Sequence, residues 1–142
     1  MEAILLAGYL VIEHIRGSTL RAIVSHEGVL TEQQAIESAL QMCDILEYLH
    51  SLSPPVVHRD SDIYAMGATL HFLLTGCDPE PLTTSHPRAL NDSVSEQLDS
   101  IIARATSLYD VDRFADIQQL RDEISALNAG STAISEQFEI SA

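Results

Sequence analysis

The chain has 142 residues, a mass of 15.5 kDa and 46% apolar residues, enough for one domain with a core and too few for two full ones. Twenty-one acidic against seven basic side chains give a net charge of −14, which disfavours nucleic acid and anionic membrane surfaces as partners. All seven basic residues are arginines, and without lysine this chain excludes Schiff-base, Walker-type and lysine-clamped phosphate chemistry.

Met1 to Leu6 is apolar but lacks a positive start and a small-residue cleavage site, so it does not read as a signal peptide. Gly8 to Ile12 is a short β-branched and aromatic run that predicts one strand, joined through Glu13, His14, Ile15 and Arg16 to Gly17. Ser18 is the expected cap of a short helix carrying Leu20, Ile23 and Val24, with Gly28 to end it. Thr31-Glu32-Gln33-Gln34 is a capping box opening a long helix whose stripe runs through Ile36, Ala39, Leu40, Cys43, Leu46 and Leu49. That helix stops before Pro54-Pro55, and Val56-Val57 is too short to stand as a strand.

Asp62 to Thr75 is apolar nearly all round, the pattern of a helix buried on every side and the expected axis of the domain. It is too short, and too interrupted by Gly67, Thr69 and His71, to cross a bilayer. Gly76 ends it, and residues 78–92, with three prolines, predict a loop holding a turn of helix at most. Ser93-Val94-Ser95-Glu96 reads as a second capping box, before Leu98, Ile101, Ile102 and Ala105. Asp116 with Gln119 opens a last helix through Ile117, Leu120, Ile124 and Leu127. From Asn128 the chain is small and polar, which predicts a flexible tail over residues 128–142. The fold class is mainly α, with one short N-terminal strand region. Cys43 and Cys77 show no CxxC spacing and read as reduced core residues. His14, His26, His50, His71 and His86 show no i, i+4 pair, so no metal site is expected.

Four segments in this order carry a family resemblance. Tyr9 to Leu20 resembles the strand, hinge and first helix that follow a protein-kinase gatekeeper. Tyr48-Leu49-His50 through Val56-Val57-His58-Arg59-Asp60 resembles the end of the long lobe helix and the HRD opening of the catalytic loop. Ser61-Asp62-Ile63-Tyr64-Ala65-Met66-Gly67 through Pro79 is similar to the central helix of that lobe with its leading aspartate, and Asp112-Arg113-Phe114 to the element before its last helix. Together they resemble the C-terminal lobe of a bacterial-type serine/threonine protein kinase, from Gly8 to Leu127. The implied arrangement is a hinge remnant over residues 1–17 and a helical lobe over 18–127.

The resemblance implies ATP and magnesium for the family and neither for this chain, which shows no Gly-rich loop, strand lysine or DFG. Asp62 stands at the family's lysine position and Ala65 at that of the magnesium-binding asparagine. Several dozen residues between HRD and the central helix have no match. Ser61 alone bridges Asp60 and Asp62, a span of at most about 7 Å, so Asp62 or Ser61 is expected to cap the helix. Asp60 occupies the family's catalytic position and is expected to be inactive. An Asp60–Asp62 dyad and a His58-Asp60-Ser61 triad both fail on geometry, because residues so close in sequence rarely fold onto one another.

By the same resemblance His58 packs under the catalytic loop, while Arg59 and Arg113 have lost their partners and are expected to be solvated. Glu13 and Ile15 fall in the adenine hinge, where a purine would meet only one wall. The expected function is a catalytically inactive, cytoplasmic kinase-lobe remnant acting through protein contact. The alternatives are half of a split kinase completed by another chain, and a decaying or mis-joined gene. The apolar face of Ile4, Leu5, Leu6, Leu10 and Ile12 is the expected surface for a partner or for self-association, with no nucleic acid and no membrane involved.

Overall fold

A computed structural model of the chain describes residues 4–6, 9–11, 14–52 and 59–127. The first two stretches are strands β1 (Ile4–Leu6) and β2 (Tyr9–Val11), paired antiparallel with Ile4 opposite Val11 and Leu6 opposite Tyr9. One strand is predicted here, and the structure makes a hairpin. A three-residue strand leaves its backbone groups without partners unless a neighbour supplies them, and Ile4-Leu5-Leu6 is that neighbour.

Helix α1 (Leu20–Glu27) is capped by Thr19 rather than by the expected Ser18: Thr19 Oγ1 accepts from Ala22 N–H at 3.1 Å. Gly28, at φ +94°, ends it. Helix α2 (Glu32–Ser51) carries the predicted capping box, with Gln34 N–H donating to Thr31 Oγ1 at 3.3 Å and Thr31 N–H to Gln34 Oε1 at 3.0 Å. Helix α3 (Arg59–Thr75) begins a turn earlier than Asp62 and ends where expected, at Gly76 with φ +72°. The following loop holds one 3₁₀ turn, Pro87–Ala89.

Helix α4 (Glu96–Ala105) corrects the second predicted box. Its cap is Ser95, whose Oγ accepts from Leu98 N–H, and the carboxylate facing the cap comes from α2, not from the first turn of α4. Glu32 accepts from Ser95 N–H at 2.6 Å and from Ser95 O–H at 2.7 Å. Ser93 instead donates its N–H to Asn91 Oδ1. Residues 117–127 form α5, opened as predicted by Asp116, whose Oδ1 accepts from Gln119 N–H at 2.8 Å.

The core lies where α3 passes between α2 and α4. Ile36, Ala39 and Cys43 of α2 meet Ile63, Met66, Leu70 and Leu74 of α3, with Leu98 and Ile102 of α4 and Leu120 and Ile124 of α5 closing it. Helices α3 and α4 approach very closely at Gly67, where a Cβ would stand 2.8 Å from Thr106 Cγ2 and 2.9 Å from Ala105 Cβ. Glycine is what permits that crossing. The central helix is not covered on every side, however. Residues Leu70 to Leu74 are buried, while Ala65 is exposed and Ala68 and Thr69 are half-buried.

Cys43 is in the core, where burial, seconded by Glu47, pushes its thiol up to about 11. Cys77 is exposed, contrary to expectation, because the turn at Gly76 carries the chain out of the interior. Among the described residues no helix is long and apolar enough to cross a membrane, and no cluster of three or more His, Cys, Asp or Glu could hold a metal. Ile12, Glu13, residues 53–58 with His58, and the tail 128–142 lie outside the described residues, as do the side chains of Ile4, Leu5, Leu6 and Leu10.

Candidate functional site at the start of the central helix

Arg59 and Asp60 are the first two residues of α3, their side chains lying outside the described part, and Ser61 follows exposed in the same turn. No loop separates them from Asp62. A helix rises about 1.5 Å per residue, so Asp60 and Asp62 are neighbours along one axis rather than two sides of a junction.

Asp62 does not cap the helix, which corrects the expectation. Its Oδ2 lies 2.7 Å from His50 Nε2 in the last turn of α2, with side chains only 19% and 7% exposed. A carboxylate only accepts, so the hydrogen of this bond sits on Nε2. The pair fastens the end of α2 to the beginning of α3, on either side of residues 53–58. The carboxylate still lies within the first turn of α3, where the helix dipole favours negative charge. Losing either partner strands the other in a half-dry site, at a cost of about 1–3 kcal/mol.

Arg113 is not solvated as expected. Its Nε donates to Ser107 O at 2.8 Å and its guanidinium stands 5.2 Å from the centre of the Tyr64 ring, so it ties the segment before α5 to the first half of α3. Arg104 covers the Phe114 ring at 4.2 Å in the adjoining layer. Ile15 is 73% exposed, and Ala65 presents a methyl group where the resemblance expects a magnesium ligand. Met42, Ile45 and Leu46 of α2 form, with Asp62, Ala65, Met66 and Thr69 of α3, a largely apolar groove of about 230 Å³ beside the His50–Asp62 bond.

The sequence did not announce the His50–Asp62 pair, since twelve residues separate the two and no local period links them. Nor did it announce the groove, because a wide apolar stripe on α2 reads as core-facing throughout.

No protein-family model matches the chain. Curated proteins do. It is 20% identical to serine/threonine-protein kinase PknB of Mycobacterium leprae over 192 residues, covering 86% of this chain and 30% of that kinase. Against serine/threonine-protein kinase PknA of Nostoc it is 24% identical over 191 residues, covering 86% and 33%. A probable serine/threonine-protein kinase PknB of Corynebacterium glutamicum is 28% identical over 101 residues, covering 71% and 15%. Its relatives are bacterial serine/threonine protein kinases.

The chain spans about a third or less of the length of these kinases. In the Mycobacterium match 86% of 142 residues, about 122, is laid over 192 positions, so about 70 positions of that kinase face a gap in this chain. The shorter Corynebacterium match sets 71% of the chain, about 101 residues, over 101 positions and has no such gap. A helical lobe resembling the kinase C-terminal lobe is compatible with all three.

Proposed function

We propose that this chain is a kinase-lobe-like body that does not transfer phosphate and acts through protein contact. The observation that carries this reading is the continuity of α3 from Arg59. Phosphoryl transfer depends on positioning by metal and nucleotide, and in the kinase pattern the magnesium-binding asparagine and the DFG aspartate both follow HRD. Here α3 runs unbroken from Arg59 to Thr75 and brings Ala65 to the asparagine position. The Mycobacterium match leaves about 70 positions of that kinase opposite gaps in this chain, which accords with a segment of the kinase pattern being absent. The hairpin residues Ile4, Leu5, Leu6 and Leu10 remain a contact face proposed from sequence. A cytoplasmic setting belongs to the same reading, supported by two unpaired cysteines.

The test is incubation with radiolabelled ATP, magnesium and a generic protein substrate, with Asp60→Asn in parallel. The expected result is no transfer above blank for either chain, and no thermal shift with millimolar ATP and magnesium. Transfer that Asp60→Asn abolishes would overturn the reading and point to a working catalytic centre.

A further inference from the structure

The exposed face of α3 is built as a trough. Ala65, Ala68 and Thr69 form a floor of small side chains, and Thr69 turns its hydroxyl back to the Ala65 carbonyl at 2.8 Å, leaving its methyl to the surface. Met42, Ile45 and Leu46 stand as a wall along one side, with Ile45 60% exposed to solvent. A second hollow of about 280 Å³ continues the trough past Thr69 and Phe72 to Arg21, Asp78 and Pro79. From Asp62 to Phe72 the face is about 15 Å long, ten residues at the helical rise.

The polar groups at both ends are already satisfied. Asp62 bonds His50 at one end, while at the other Arg21 pairs with Asp78 at 2.6 Å and lies over the Phe72 ring at 4.4 Å. What the trough offers an occupant is therefore apolar surface and a close approach to the α3 backbone. Small residues at i, i+3, i+4 let a second helix settle against the first, and aliphatic side chains spaced by helical turns fill such a groove.

Charge chooses between occupants. The chain carries −14; Arg21 is matched by Asp78 and Arg121 by Asp44 and Glu47, so the nearby cations are taken up, and Glu37 on α2 and Glu80 beyond the far end pair with no cation among the described residues. Two copies of so acidic a chain repel one another, whereas a cationic segment is drawn in and held at low salt. We propose that this trough receives a basic amphipathic helix of another protein, its aliphatic face on Ala65, Ala68 and Thr69 and its arginines or lysines outward. The proposal deepens the contact reading given above and rests on it.

The probe is a fluorescein-labelled 16-residue peptide with leucines at helical spacing and lysine and arginine elsewhere, set against an isosteric peptide with glutamate in place of the basic residues. Anisotropy should show the basic peptide binding roughly tenfold tighter or better, weakening with salt. Ala65→Leu, which fills the floor at an exposed position, should cut its affinity by about tenfold with an unchanged circular-dichroism spectrum. Ile45→Ser should weaken it by a smaller factor, and serves where Ala65→Leu fails to fold.

Three results would overturn the proposal: no binding of the basic peptide, binding that neither variant changes, and a sedimenting dimer that Ala65→Leu dissolves. Each leaves the inactive-lobe reading in place, because only the phosphotransfer assay decides that.

Discussion

The two halves of α3 are held by different physics. From Leu70 to Leu74 the helix is buried against α2 and α4 and, through Phe72 and Leu73, against Val24 of α1, and its position follows from apolar packing. From Ser61 to Thr69 one face lies open while Ile63, Met66 and Gly67 pack inward, and the His50–Asp62 bond and the Arg113–Tyr64 contact add polar ties to that packing. One helix can thus sit fully inside the core at one end and keep an open face, bordered by a few polar ties, at the other. The buried half is packed all round, and the open half carries the trough beside Met42, Ile45 and Leu46.

The sharpest challenge to this contrast is truncation of the core half. Leu70→Ala should lower the unfolding free energy by about 2–5 kcal/mol in urea, the range for large-to-small changes at fully buried sites. A loss below about 1 kcal/mol would place the core elsewhere. In the open half, Asp62→Ala and His50→Ala should each cost about 1–3 kcal/mol, with the double variant losing less than the sum. Additive losses would deny that the two side chains act as a pair.

Acid separates the halves next. Burial of His71 holds its pKa below the ordinary imidazole range, so the unfolded chain takes up this proton at a higher pH than the folded one does. The resulting stability is present above about pH 6.5 and is lost as the pH falls through the lowered folded value. A His71→Leu variant should show a shallower decline in urea midpoint between neutral and mildly acid solution, and an unchanged slope would remove His71 from the account. The smallest effect is chemical: Ellman's reagent should label Cys77 at once and Cys43 only on unfolding, since burial raises the latter's thiol to about 11.

Features fixed by near neighbours were readable before any coordinates. The Thr31–Gln34 box, the end of α3 at Gly76 and the opening of α5 by Asp116 and Gln119 each depend on residues three or four apart. Those set by distant groups were not. Ser93 looked like the cap of α4, and Ser95 takes that place with the carboxylate that α2 brings to it. Asp62 looked like a cap because nothing local says that His50 reaches it. Arg113 looked partnerless for the same reason, with Ser107 and Tyr64 reaching it through the packing of α4 and α3. Gly8 to Ile12 pointed to a lone strand because its pairing with Ile4–Leu6 depends on a second run, which the period of the first does not report.

Glu32 lies in the first turn of one helix and caps the start of another, 63 residues on. Fraying at either end therefore releases the other, and the two helices should exchange their first amide hydrogens together rather than separately. A peptide containing only 93–106 would lack that carboxylate and form little helix in water. In the intact chain, then, the start of α4 is strengthened by the docking of α2 in addition to its own Ser95 cap.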